Sequence, residues 1–170
     1  MMKKYISFVA LWVVASLTFV SCDTETDEEA GGTNIEKMCG YWDVQIDAVD
    51  ESGNVVIGDL GAATTYTYNT ASNSTTEMWL DDRGTFCKYK FKVDIDYSAA
   101  TFSASAREYA AGATATVTDG KILYNEGKNI HGMPCDSIVY YISFSDDEDP
   151  AKYGFAKYRV SGVRHSGFTE

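Results

Sequence analysis

Two histidines, His131 and His165, are the side chains of this sequence suited to moving a proton near neutral pH. Asp136 and Ser137 follow the first in "NIHGMPCDS"; Ser161 and Ser166 flank the second in "VSGVRHSGF". Serine-based hydrolysis needs a nucleophile, a base and an orienting carboxylate within hydrogen-bond reach. His131 with Ser137 is the candidate catalytic pair. Two features stand against it. There is no Gly-x-Ser-x-Gly elbow. Neighbours on a strand also point to opposite faces, so Asp136 and Ser137 cannot both serve one site.

Other chemistry is weaker still. Asp94-x-Asp96 and the run Asp146-Asp147-Glu148-Asp149 could offer oxygens to calcium, but neither has EF-hand spacing, and solvated turns account for both. Cys39, Cys87 and Cys135 form no Cys-x-x-Cys and no zinc spacing with histidine. They read as buried thiols or as one bridge with a leftover thiol, and the spacing does not choose the pair. Nothing resembles a phosphate-cradling glycine loop or a dinucleotide fingerprint. The expectation is no metal and no cofactor.

The ends of the chain give an address. "MMKKYISFVALWVVASLTFVSC" has two lysines, an apolar run from Tyr5 to Val20, then Ser21-Cys22. The run is short of the roughly 20 residues of a spanning helix, and the pattern reads as a signal peptide over residues 1–21. "TFVSC" resembles the lipobox of bacterial lipoproteins, in which the cysteine becomes the acylated N-terminus. Residues 22–33 then read as a lipidated acidic tether, "CDTETDEEAGGT", extended by its own charge. An acidic run after the lipid cysteine also resembles the export signal of surface-exposed lipoproteins. The expected location is the outer membrane, facing the periplasm or the cell surface, held by acyl chains on Cys22. Removing residues 1–21 takes Lys3 and Lys4 with it and moves the formal charge from −11 to −13. A chain this acidic with no basic patch is expected to bind no nucleic acid.

Residues 34–170 read as one domain built of strands. Tyr, Phe, Trp, Thr and Val are abundant, and no long helical periodicity occurs. "YWDVQIDAVD" alternates Trp42, Val44 and Ile46 against Asp43, Gln45 and Asp47. "TTYTYNT" sets Tyr66 and Tyr68 opposite Thr65 and Thr67. "TEMWLDD" leads into a tight "DDRG" turn. "TFCKYKFKVDI" turns Cys87, Tyr89, Phe91 and Val93 inward and its lysines outward. "ATFSASARE" sets Phe102, Ala104 and Ala106 on one face. "ATATVTDGKILYNEGK" reads as a strand, an Asp119-Gly120 turn and a return. "DSIVYYISF" and "YGFAKYRVSGVRHSGF" complete about eight strands with short connections. Such a meander tends to close, because closure removes the exposed edges. The expectation is an all-β, eight-stranded antiparallel up-and-down barrel.

Small residues Ala104, Ala106, Ala115 and Gly162 fall on or near the inner faces. Beside them, Tyr66, Tyr68, Tyr89, Phe91, Phe102, Tyr140 and Ile142 are the candidates to line an apolar cavity with a few phenolic hydroxyls. Such a cavity suits a lipid or another hydrophobic small molecule.

Gly40-Tyr41-Trp42 opens the first strand after a short helical turn, and this resembles the Gly-x-Trp signature of lipocalins. The resemblance implies that Trp42 floors the closed end of the barrel, with a late-strand arginine across its ring. Arg164 is the matching residue and Arg159 the second choice. More narrowly, the lipobox, the acidic tether, "IHGMPCDSIVYYISFSDD" and "YRVSGVRHSGF" resemble lipocalin-like lipoproteins of Gram-negative bacteria described as lipid-binding putative hydrolases. The C-terminal helix of typical lipocalins is absent from the pattern. Three functions follow as expectations. The first is non-catalytic binding of a lipid or hydrophobic small molecule in a barrel cavity. The second is a lipid or ester hydrolase, implied by the resemblance alone. The third is a surface module for a glycan or protein partner, which an outward-facing Trp79 would favour.

Overall fold

A computed structural model describes residues 32–167. The expected signal peptide, Cys22 and nearly all of the tether lie outside the described residues. Eight strands follow a short 3-10 turn at Glu36–Met38: β1 (Gly40–Val49), β2 (Val55–Asn69), β3 (Glu77–Asp81), β4 (Lys90–Asp96), β5 (Thr101–Ala110), β6 (Ala113–Lys128), β7 (Pro134–Phe144) and β8 (Lys157–Arg164). A single helical turn, α1 (Asp149–Tyr153), precedes β8. Each strand pairs antiparallel with the next, and β8 returns to β1, so the sheet is a closed barrel. The all-β up-and-down barrel expected from the alternation is the observed fold.

Period-two alternation drives it. Trp42, Val44, Ile46 and Ala48 of β1 are buried, as are Ile138, Tyr140, Ile142 and Phe144 of β7 and Tyr158 and Val160 of β8. These residues meet Met78, Leu80, Phe91, Val93, Phe102 and Val117 in one continuous core. Removing such surface from water is the main stabilising term, about 25 cal/mol per Å².

Three expectations about strands are corrected. Asp119-Gly120 is no turn: β6 runs through it as one strand, with a bulge at Thr118–Lys121 where Asp119 takes φ 54°. A bulge inserts one unpaired residue without ending the strand. Ala106 is exposed, because a second bulge between Ala104 and Arg107 flips its side, with φ 47°. Cys87 lies ahead of β4, in the loop that links it to β3, a longer connection than the tight turn read from "DDRG".

The strands give the barrel two unlike ends. The 3-10 turn and the 70–76, 97–100 and 129–133 connections sit at one. The 50–54, 82–89, 111–112 and 145–156 connections sit at the other.

Candidate functional site

The first end is closed by Trp42, which is fully buried. Its Nε1 donates to Thr67 Oγ1 at 2.9 Å, and Thr67 Oγ1 in turn donates to the Met38 carbonyl at 2.6 Å. Arg164 lies over the indole, its guanidinium carbon 4.7 Å from the ring centroid. The same side chain donates to the Cys39 and Lys37 carbonyls at 2.8 and 3.3 Å and to Asp136 at 3.1 Å. Gly40 is what leaves room: a Cβ there would stand 2.8 Å from Arg164 NH1 and 3.0 Å from the indole. Arg159, the second choice, instead pairs with Asp47 at 2.7 Å across the β1–β8 seam.

The middle of the barrel is filled. Tyr89, Phe91, Phe102, Tyr140 and Ile142 all face inward and are at most 4% exposed. Phe102 lies 5.6 Å from Tyr140, and Tyr89 lies 5.6 Å from Phe91. The small residues sit beside bulkier ones on the neighbouring strand: Ala115 is paired with Phe144 and Ala104 with Val117. Gly162 opens no volume, because a Cβ there would meet the Asp43 carbonyl at 1.9 Å, where β8 crosses close to β1.

Tyr66 and Tyr68 are the correction to the expected lining. They face outward, and their neighbours Thr65 and Thr67 face in, 1% and 2% exposed. Alternation fixed the parity of this strand but not its sign. The threonines are tolerable inside because each hydroxyl is bonded. Thr65 Oγ1 and Tyr140 OH are 2.9 Å apart, and Tyr140 OH continues to Tyr89 OH. This chain of three buried hydroxyls crosses the apolar interior. Burial pushes both phenols above their ordinary titration range.

The second end carries the feature suited to an apolar ligand. Phe86, Tyr89, Tyr109, Phe144, Phe155 and Tyr158 cluster there, with ring centroids 5.0–6.2 Å apart in successive pairs. Two of the rings have polar tips fixed from the 145–156 loop: Tyr158 donates to Asp147 at 2.7 Å, and Tyr109 donates to Asp146. Burial first, then these carboxylates, raise both phenols.

The 82–89 loop covers this cluster. Asp82 is 1% exposed, and its carboxylate accepts the backbone N–H groups of Gly84, Phe86, Cys87 and Lys88 at 2.8–3.1 Å. That wrapping carries Phe86 onto Tyr158 and Phe144. Cys87 sits half-buried beside it, its thiol pushed up to about 12 by burial and then by Asp82, Asp147 and Asp146. Phe86 and Asp82 escaped the sequence reading because "DDRG" read as a tight turn. The capping carboxylate followed by glycine was the available signal.

The outer wall carries a second set of groups. Trp79 faces out from β3, with Lys90 and Lys92 5.3 and 5.8 Å from its ring centroid and Tyr68 beside it. Tyr41 stacks between Tyr66 and His165. His165 Nδ1 lies 2.8 Å from Asp43 Oδ2, a His–Asp pair joined across 122 residues of sequence.

The candidate catalytic pair is not assembled. His131 is exposed at the tip of the β6–β7 hairpin, whereas Ser137 lies inside β7, paired with Val163 of β8. About 10 Å of strand separates Pro134, where β7 begins, from Ser137. Four of the acids considered for calcium, Asp94, Asp96, Asp146 and Asp147, hold other partners. Asp94 takes Arg107 at 2.9 Å, and Asp96 caps Ser98 and Ala99. Among the described residues no group of three His, Cys, Asp or Glu is placed to hold a metal. Cys39, Cys87 and Cys135 are free thiols.

The family model described as "lipid-binding putative hydrolase" matches residues 27–169. No curated protein matches the chain.

Proposed function

The chain belongs to the family of lipid-binding putative hydrolases, and we propose that it is an outer-membrane lipoprotein that takes a lipid or other hydrophobic small molecule at the aromatic mouth of its barrel. The observation that carries this reading is the six-ring cluster formed by the Asp82-wrapped loop and the strand ends beneath it. Large, closely packed rings with a few polar tips favour apolar chains. With the interior filled, the ligand sits at the mouth and lifts Phe86 rather than entering a preformed chamber. Tyr109 and Tyr158 stand where a polar headgroup would meet phenols. The lipobox and acidic tether support anchoring through Cys22.

Native mass spectrometry of the purified protein tests the reading, with lipid extraction of whatever co-purifies. A bound lipid lost on Phe86→Asp supports it. A protein free of lipid that also fails to bind added fatty acid or phospholipid overturns it. The mass of the N-terminal peptide decides acylation of Cys22.

Two alternatives each have one observation. The His165–Asp43 pair has the base-and-orienter geometry of a hydrolase. Acyl-ester hydrolysis that disappears in His165→Ala would support that activity, and equal rates in the two proteins would exclude this pair. Trp79, outward between lysines, suits a glycan or protein partner. Glycan-array binding lost in Trp79→Ala would favour that role.

A further inference from the structure

We propose that the tip of the β6–β7 hairpin, residues 128–133, is a membrane-contact element that seats the closed end of the barrel on the lipid headgroups. The inference rests on reading Cys22 as an acyl anchor. Ile130 and Met133 are 58% and 62% exposed, the two most exposed large apolar side chains among the described residues. They do not sit on a floppy loop. Asn129 Oδ1 accepts the N–H groups of His131 and Met133 at 3.0 and 2.9 Å. Asn129 N–H donates to the Met133 carbonyl at 3.0 Å, and Gly132 N–H to the Asn129 carbonyl at 2.8 Å. With four of its N–H groups and two of its carbonyls already bonded, the turn strands fewer backbone groups on entering an apolar interface, which is the main cost of placing loops in lipid.

The occupant is a lipid surface for two reasons. The first is where the chain outside the structure begins. Gly32 leads directly to the 3-10 turn, and Arg164 ties that turn's Lys37 carbonyl to Asp136 of β7, three residues beyond Met133. Cys22 lies ten residues before Gly32, a span of at most about 35 Å. The described chain therefore begins at the same end as the hairpin tip. The second is charge. "KNIHGM" carries Lys128 and no carboxylate, in a chain of formal charge −11, while Glu36 and Asp96 lie on neighbouring segments of the same end. The opposite end presents Asp50, Glu51 and the Asp146–Asp149 acids, which anionic phosphates repel. The tip itself thus meets anionic phosphates with less repulsion than the acidic mouth loops do.

The test uses the full purified chain on vesicles of phosphatidylethanolamine and phosphatidylglycerol, with and without lipids brominated near the headgroup. Ile130→Trp should gain emission that brominated lipid quenches about twofold relative to the wild-type background, the depth of an interfacial contact. Val56→Trp, at the mouth end, should be unaffected. An unquenched Ile130→Trp, or quenching of Val56→Trp instead, overturns the proposal. Cys22→Ser separates the two readings. If it sediments with vesicles as well as wild type, the anchor reading fails, while quenching of Ile130→Trp still decides the tip.

Discussion

Arg164 lies over Trp42, its guanidinium carbon 4.7 Å from the ring centroid, while one of its nitrogens donates to the Cys39 carbonyl at 2.8 Å. One side chain thus stacks on the floor of the barrel and fastens the segment that leads into it. Lysine has the charge but neither the plane nor the fork. Arg164→Lys is expected to cost about 2 kcal/mol. Gly40→Ala, which crowds the same guanidinium, should cost a similar amount, and the double variant should cost less than the sum. Urea unfolding of the four proteins measures this; strict additivity would mean the two positions are independent.

The same chemical change should have different weights on the two faces of the wall. Tyr140→Phe removes the middle member of the buried hydroxyl chain and leaves Thr65 and Tyr89 short of a partner, so it should cost about 1–2 kcal/mol. Tyr66→Phe, outside the barrel, should stay within about 0.5 kcal/mol. Equal losses would contradict the inward placement of Thr65.

Asp82 holds the loop over the mouth through four backbone N–H groups. Asp82→Ala strands them and should loosen the loop. Cys87 reports the change. With its thiol at about 12, only about one molecule in ten thousand is thiolate at pH 8, so alkylation should be slow. In Asp82→Ala the burial and one repelling charge are both reduced, and the rate should rise roughly tenfold or more. Labelling with iodoacetamide, read by peptide mass spectrometry with Cys135 as the internal standard, decides it. An unchanged Cys87 rate would mean that Asp82 does not hold the loop.

Asp47 carries a pH signature. The Asp59 N–H, and then Arg159, hold its carboxyl below the ordinary aspartate value. A lowered folded value means the stabilisation is present above the unfolded value of about 4 and is lost as pH falls through the folded one. Asp47→Asn should cost about 2 kcal/mol at neutral pH, since it leaves the Arg159 charge part-buried without its partner. The difference from wild type should shrink as pH falls below the unfolded value of about 4. A pH-independent difference in urea midpoint would show that packing, not charge, is what Asp47 contributes.

How much of this was legible in the sequence depends on how local its cause is. Strands β1 and β7 declare themselves because Trp42–Ile46 and Ile138–Phe144 alternate without interruption, and closure follows from the number of strands. Strand β2 is different: "TTYTYNT" fixes which residues share a face, yet aromatic bulk argues for the wrong one. The deciding hydrogen bond runs from Thr65 to Tyr140, 75 residues away. Bulges hide for a related reason. Asp119-Gly120 has the composition of a turn, and only pairing on both sides keeps it within a strand. The His165–Asp43 pair exists because β8 lies against β1, so no local spacing could show it.

The seam between β1 and β8 also governs when the barrel can exist. Trp42 pairs with Arg164, and the ladder runs on to Val49 and Lys157. The first strand therefore waits for the last before either has both neighbours. Pairings this distant in sequence form slowly, since the loop entropy is lost before the contact is gained. A ribosome or translocation channel that still holds residue 164 holds the barrel open. Until release, β1 exposes an unpaired apolar edge, which makes the nascent chain a substrate for holding chaperones.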